Sequence, residues 1–258
     1  MIARLTPYES ILEPLERSVF PAIRDEAEQR GTNTRRRDQF LLLGHAGAAL
    51  KEIVADEAPA DAIDEYSELL YQGYQFWSFG RRLYVLDERV TQTVTQPAAD
   101  LGTWVFAGPP SCYLQLPPQR LWSRVGVESP YEPVDGCFVV SDETLPAEDA
   151  GAHLRVQLVL GMRSERPGVS LVSYRTDLDP RTAPEHAGIP WREDGPAFSN
   201  AIPGGERKGY RTVATTSELE ALVIRILWYL DQHSRALVSH DASVEPGSTR
   251  LKWVEVTG

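Results

Sequence analysis

Three charged residues in one long loop make the strongest case for catalysis in this chain. Asp194 and Glu206 are carboxylates, and Lys208 follows the second carboxylate by two residues. Such a set can bind Mg²⁺ and orient a water molecule for hydrolysis, provided that its members lie on adjacent strands of one hairpin. The glycines and prolines beside both carboxylates are poor strand formers. A metal-dependent or small-molecule hydrolase, with its site under this loop, is therefore the alternative function.

The cysteines and histidines add no second catalytic pattern. Cys112 and Cys137 lie in apolar, strand-like contexts, so we expect both thiols to be reduced and buried rather than nucleophilic. None of the five histidines has the spacing of a helical zinc site, and the sequence contains no Cys-x-x-Cys, nucleophile elbow or phosphate-binding glycine loop. We expect no metal and no cofactor, and the sequence leaves open whether the protein is an enzyme.

The loop that holds the three charged residues, residues 177–211, can instead be a recognition surface. Prolines recur along it, and a stiff, preformed loop loses less entropy when it binds. It also contains apolar residues that disordered segments lack. The candidate contact residues are Trp191, Arg192, Arg207, Lys208 and Arg211. In a simpler interpretation the loop only covers the sheet.

A second candidate surface is the aromatic end of a helix predicted over residues 60–79. An apolar stripe at helical spacing runs through this segment and stops at Gly80. Tyr71, Tyr74 and Trp77 lie near its end, and such residues commonly anchor contacts with partner proteins. They also supply much buried area, so the same residues can simply pack against the sheet. Surface exposure distinguishes the two interpretations.

The net charge and the lengths of the apolar runs limit the kinds of partner that we expect. The 258 residues carry a formal net charge of −11, which disfavours nucleic acid and anionic lipid. No apolar run approaches the length of a membrane span, and a charge and a proline interrupt the N-terminus before a secretory signal could form. We expect a soluble cytoplasmic protein.

Proline positions divide the chain into helical and strand-rich parts. Fourteen of the nineteen prolines lie between Pro97 and Pro203, where continuous helix is therefore excluded. The sequence predicts an α+β fold in which a helical layer, residues 1–80, precedes an antiparallel sheet over residues 81–258. The second part includes the 177–211 loop and a long C-terminal helix packed on the sheet, and we expect one compact unit.

Several elements of the second part can be predicted individually. The clearest is a hairpin of residues 153–162 with 169–175, which has one firmly apolar side and thus one face on the core. Alternation of Thr, Val and Gln predicts a strand over 90–95, and residues 249–257 are predicted to form an edge strand. The remaining predicted strands cover residues 82–86, 103–106, 112–116, 121–125 and 136–141. A capping box at 217–220 predicts the start of the last helix, which we expect to extend towards His233 and His240.

The favoured function is a non-catalytic module that binds another protein, through the aromatic helix end or the 177–211 loop. The sequence leaves the oligomeric state open.

Overall fold

The computed structural model describes twelve stretches of the chain, and every contact given below lies within them. They are residues 13–30, 44–53, 60–94, 110–117, 121–123, 132–141, 154–160, 170–178, 211–212, 216–233, 237–241 and 252–256. The predicted strand 103–106 and nearly all of the 177–211 loop lie outside the described residues.

Six helices occur in the described residues, and four of them precede the first strand. Their bounds are Glu13–Glu16 (α1), Val19–Arg30 (α2), Gly44–Ile53 (α3), Ala60–Ser78 (α4), Glu88–Val94 (α5) and Thr216–Gln232 (α6). Helices therefore dominate before residue 80, as the sequence predicts for the described part of that region. None of these helices combines the length and the apolar character that crossing a bilayer requires.

The nine described strands form one connected sheet. Their bounds are Arg82–Leu86 (β1), Ser111–Gln115 (β2), Leu121–Ser123 (β3), Glu132–Ser141 (β4), Leu154–Leu160 (β5), Ser170–Leu178 (β6), Arg211–Thr212 (β7), Leu237–Asp241 (β8) and Lys252–Val256 (β9). The order is β6-β5-β4-β2-β1-β9-β8, and β3 pairs with both β4 and β7. Strand β1 is parallel to β2 and β9, and β3 is parallel to β7, whereas the other pairs are antiparallel. The α+β prediction is confirmed, and the sheet is mixed.

Helices cover both faces of this sheet. Successive residues of a strand point to opposite faces. In β4, Cys137 and Val139 belong to a core that contains α6 residues, whereas Phe138 belongs to a second core that contains α4 residues. We call these the α6-side core and the α4-side core. The α6-side core also includes Val90 of α5, and the α4-side core also includes residues of α1, α2 and α3.

The β5–β6 hairpin is confirmed, but the prediction that only one of its sides faces a core is wrong. Val156 lies in the α6-side core and Val159 lies in the α4-side core, and both side chains are buried. An extra residue, Asp135, produces a register shift in the pairing of β4 with β5. The sheet is a central layer between two helical layers.

The predicted strand 90–95 is wrong, because this segment is helix α5. The carboxylate of Asp87 accepts a hydrogen bond from the backbone N–H of Val90 at 2.7 Å, which is the geometry of a helix N-cap. Val90 and Val94 are four residues apart and both are buried in the α6-side core. The Asp87 cap and the burial of two residues four apart thus determine a helix here, although the alternating residue types favour a strand.

The end of the chain also differs from the prediction. The predicted edge strand is β9, which lies between β1 and β8 and is therefore internal. The edge is β8, and its His240 was predicted to lie near the end of the last helix. His240 lies on β8 and pairs with Trp253 of β9. Strand pairing of this kind depends on tertiary placement, which alternation alone does not specify.

Candidate functional site

The aromatic end of α4 divides into a buried part and a part that reaches the surface. Tyr71 and Tyr74 retain 1% and 2% of their accessible surface, so they belong to the α4-side core and do not form an exposed patch. Trp77 and Phe79 are half-buried. The two tyrosines therefore pack in the core. Of the three contact residues predicted on this helix, only Trp77 is accessible to solvent.

Trp77 is held in place by aromatic neighbours and covered by an arginine. Its ring centroid lies 5.7 Å from that of Phe20 and 5.8 Å from that of Tyr74. The guanidinium carbon of Arg24 lies 5.3 Å from the indole centroid, within the range of a cation–π contact. Arg24 also contacts the Asp25 carboxylate at 3.6 Å, and half of its side chain remains exposed. We call Arg24 and Trp77 together the Arg24–Trp77 surface.

The backbone beside this surface is fixed where α4 ends. Gly80 has a φ of 87°, and its N–H donates to the carbonyl of Trp77 at 3.2 Å. The N–H of Arg81 donates to the carbonyl of Phe76 at 2.8 Å. These two bonds form a Schellman motif, in which a residue with positive φ closes the helix. The prediction that α4 stops at Gly80 is confirmed, and the cap holds the Trp77 carbonyl in one position.

A buried ion pair joins α1 to the same helix end. The Nε atom of Arg81 lies 2.7 Å from a carboxylate oxygen of Glu16, whose side chain is only 1% exposed. Arg81 also has a positive φ of 55°, which is uncommon for a residue with a side chain. The attraction between the two charges offsets part of the cost of burying the Glu16 carboxylate. The contact also joins α1 to the junction between α4 and β1.

A second polar group lies inside the sheet, where β2 meets β4. The Tyr113 hydroxyl donates to the Asp135 carboxylate at 2.8 Å, and both residues are buried. A Cβ atom on Gly136 would lie 2.3 Å from the Leu114 carbonyl oxygen and 2.7 Å from the Tyr113 hydroxyl oxygen. Only glycine fits under the Tyr113 ring. This group is inaccessible, so it serves to fix strand register rather than to bind a ligand.

The buried thiols are unsuited to nucleophilic catalysis. Burial raises the pKa of Cys112 to about 12, although the nearby Arg82 opposes that shift, and burial also raises the pKa of Cys137. Both cysteines are unpaired and buried, as the sequence predicts. A thiol with so high a pKa is protonated at neutral pH and does not act as a nucleophile or metal ligand.

The described residues contain no group of three metal-ligating side chains. His45 is exposed at the start of α3, and His233 is exposed at the end of α6, where its ring stacks on Tyr229. These two histidines are therefore on different helices and do not converge with a carboxylate cluster in the described part of the chain.

Six of the seven loop candidates lie outside the described residues, and the seventh, Arg211, lies on β7. Trp191, Arg192, Asp194, Glu206, Arg207 and Lys208 lie outside the described residues. Arg211 begins β7, where its backbone pairs with Leu121 of β3. The roles of all seven residues remain predictions.

Arg24 and Glu16 were not predicted as site residues, although both adjoin the predicted aromatic end of α4. Each meets its partner across two elements that are more than fifty residues apart in the chain. The position of a charged residue along its own helix does not predict a contact with a residue so distant in the sequence. An arginine four residues after an apolar position, as Arg24 is after Phe20, was the available signal, and it is not specific.

The comparisons with known proteins give only distant structural likeness. No protein-family model and no curated protein matches this chain. A solved structure described as the crystal structure of AcrVA2 is 9% identical in sequence, with a TM-score of 0.38, over 93% of this chain and 92% of that chain. A likeness this weak assigns neither a family nor a function.

Proposed function

We propose that this protein is a non-catalytic, cytoplasmic module that binds another protein through the Arg24–Trp77 surface. The observation that carries the proposal is the cation–π contact itself. A half-buried indole and a half-exposed guanidinium stand together at the surface, 5.3 Å apart, beside a capped helix end.

Tryptophan and arginine are the residue types that most often dominate protein–protein interfaces. Each offers a large flat area, and arginine adds several hydrogen-bond donors. An exposed pair of this kind costs conformational entropy unless both side chains are already positioned. Phe20 and Tyr74 hold the indole, and the indole holds the guanidinium, so much of that entropy is lost on folding rather than on binding.

The 177–211 loop is the second contact surface in this proposal. Its candidate residues are those predicted from the sequence: Trp191, Arg192, Arg207, Lys208 and Arg211. The hydrolase alternative rests on Asp194, Glu206 and Lys208, which lie outside the described residues.

The test is affinity capture from a lysate of the cells that produce the protein, followed by quantitative mass spectrometry. The baits are the wild-type chain and the variants Arg24→Glu, Trp77→Leu and Arg89→Glu. Arg89 is exposed on α5, so Arg89→Glu changes the charge equally while leaving the Arg24–Trp77 surface intact. Circular dichroism checks that each bait is folded.

We expect at least one protein that the wild type and Arg89→Glu retain and that Arg24→Glu and Trp77→Leu lose by about tenfold, the loss that corresponds to ~1.4 kcal/mol. If folded Arg24→Glu and Trp77→Leu retain every partner of the wild type, this surface is not the binding site. Repeating the capture with Arg207→Glu/Lys208→Glu then tests the loop.

A further inference from the structure

The two halves of the Arg24–Trp77 surface lie on different helices, so their alignment depends on how α2 packs against α4. The Phe20 ring of α2 lies 5.7 Å from the Trp77 indole and 5.8 Å from the Tyr74 ring. Hydrophobic burial is largely non-directional, so these contacts alone tolerate a small slide or rotation of one helix on the other. A directional contact close to both helices fixes the alignment that the cation–π contact requires.

The ion pair between Glu16 and Arg81 is such a contact. Glu16 ends α1, and the backbone continues from there into α2, where the Ala22 N–H donates to the Ser18 carbonyl at 3.3 Å. Arg81 follows the glycine that closes α4, and its own N–H donates to the Phe76 carbonyl at 2.8 Å. Each member of the ion pair is thus attached through the backbone to one of the two helices that carry the surface.

Arg81 occupies a position at which glycine would fit the backbone better. Its φ is 55°, a value that residues with a side chain rarely adopt. Backbone strain of this kind persists where surrounding contacts hold it, and it is common at ligand clamps. The Arg81 side chain is 16% exposed and that of Glu16 is 1% exposed, so solvent ions screen their attraction only weakly.

Resting on the proposed function, we propose that Glu16 and Arg81 are positioning residues of the binding surface. Their ion pair fixes α2 against the end of α4, so that the Arg24 guanidinium already lies over the Trp77 indole when a partner arrives. Without the ion pair, the three buried residues of α2 still hold that helix in the core, and the fold is retained. The guanidinium then leaves the indole, and the entropy of ordering it is lost on binding instead of on folding.

The test is fluorine NMR of the full-length chain labelled with fluorotryptophan, because the Trp77 resonance reports on the charge above its ring. The chain has six tryptophans, and Trp77→Phe identifies the resonance. Arg24→Gln gives the position of that resonance without the cation. Glu16→Gln and Arg81→Gly each break the ion pair, and glycine suits the positive φ of position 81, so α4 stays capped.

The matched control is Glu26→Gln. Glu26 forms an ion pair with Arg30 within α2, so this variant removes a carboxylate from the same helix without touching the contact with Arg81. The double variant Glu16→Gln/Arg81→Gly removes both charges at once, and it takes the place of a single variant that does not fold. Circular dichroism checks the fold of every variant.

We expect Glu16→Gln and Arg81→Gly to move the Trp77 resonance to the position found in Arg24→Gln, while the other tryptophan resonances stay in place. Glu16→Gln combined with Arg24→Gln should add no further displacement, since the two changes act on one contact. Glu26→Gln should leave the Trp77 resonance where the wild type has it. In the capture experiment, Glu16→Gln should reduce recovery of the same partners several-fold.

The NMR measurement needs no partner, so its outcome is separate from that of the capture experiment. An unchanged Trp77 resonance in the folded variants, or displacement of all six tryptophan resonances, would overturn the inference and leave the proposed function standing. A displaced Trp77 resonance, together with an Arg24→Glu bait that retains every partner, would overturn the proposed function and with it the role of the ion pair in binding.

Discussion

The two faces of the sheet are packed by different chemistry. On the α6 side, the buried residues are mostly aliphatic, and α6 contributes an unbroken buried run from Ala221 to Leu227. On the α4 side, aromatic rings are in contact in two groups, one with Phe138 and Phe76 and the other with Tyr74 and Trp77. Each core packs against a half-buried tryptophan, Trp77 on the α4 side and Trp228 on the α6 side.

Polar groups follow the same division. On the α6 side, the charged side chain of Arg225 is buried and donates to the Val94 carbonyl at 3.4 Å. Burial lowers the pKa of this arginine. Helix α4 instead buries several polar side chains, among them Glu68 and Gln72, which are joined by a hydrogen bond of 3.0 Å. The α6 face is therefore packed mainly by aliphatic residues, whereas the α4 face combines aromatic rings with buried polar groups. The proposed interface lies on the α4 side.

The largest expected effect comes from removing the ring that joins β4 to α4. Phe138 is fully buried, and its ring centroid lies 4.7 Å from that of Tyr113 and 5.8 Å from that of Phe76. We expect Phe138→Ala to lower the free energy of unfolding by about 3–5 kcal/mol, because it removes many contacts and leaves a cavity. Urea denaturation followed by circular dichroism measures this.

The matched control is the next residue of the same strand, which faces the α6-side core. Val139→Ala removes only two methyl groups, so we expect a cost of about 2 kcal/mol. Equal costs for the two variants would show that the aromatic contacts add nothing to the packing on the α4 side. A larger cost for Val139→Ala would reverse the comparison of the two faces.

The next effect concerns the glycine under Tyr113. In Gly136→Ala the new methyl group would overlap the Leu114 carbonyl and the Tyr113 ring, so the ring must move and its bond to Asp135 is lost. We expect the free energy of unfolding to fall by about 2–3 kcal/mol, with a changed near-ultraviolet circular dichroism signal from Tyr113.

Gly47 in α3 is the control for this substitution. A Cβ atom there has no neighbour within 4 Å, and alanine is the better helix former. We expect Gly47→Ala to raise the free energy of unfolding by about 0.5–1 kcal/mol. If Gly136→Ala is as well tolerated as Gly47→Ala, the close approach of β2 and β4 at this point does not constrain the sequence.

On the α4 side, sequence patterns predicted the bounds of the helix better than they predicted which of its side chains are exposed. The helical stripe and Gly80 gave α4 its bounds, because local spacing and a residue that tolerates positive φ determine where a helix ends. Exposure was not predictable in the same way. Tyr71 and Trp77 lie on one aromatic segment, yet only contacts with α2 and the sheet decide that the first is buried and the second reaches solvent.

The errors on the α6 side have a similar origin. The alternation of Thr and Val predicted a strand where the structure has α5, because both residue types are common in strands. The prediction did not take into account that Asp87 can cap a helix. Alternation did predict β9 as a strand, but not its position between β1 and β8. Of the candidate site, Trp77 could be predicted from its residue type, whereas Arg24 could not, because its contact with the indole is formed only by the packing of α2 on α4.

The smallest effect is expected at the two thiols of the α6-side core. Burial raises the pKa of Cys112 to about 12, well above the ordinary value for cysteine, and raises that of Cys137 in the same direction. We expect neither thiol to react with iodoacetamide at pH 8 in the folded protein, and both to react in urea. Mass spectrometry of the labelled protein measures the extent of reaction.

The same pKa shift determines the sign of a pH effect on stability. The folded state holds the Cys112 proton more tightly than the unfolded state, so its contribution to stability is complete below about pH 8.5 and is lost as the pH rises from there towards 12. The free energy of unfolding should therefore fall more steeply with pH between 9 and 10.5 in the wild type than in Cys112→Ala. Parallel slopes, or labelling of the folded protein at pH 8, would mean that the α6-side core opens to solvent. The α6 side would then differ from the α4 side only in its residue types.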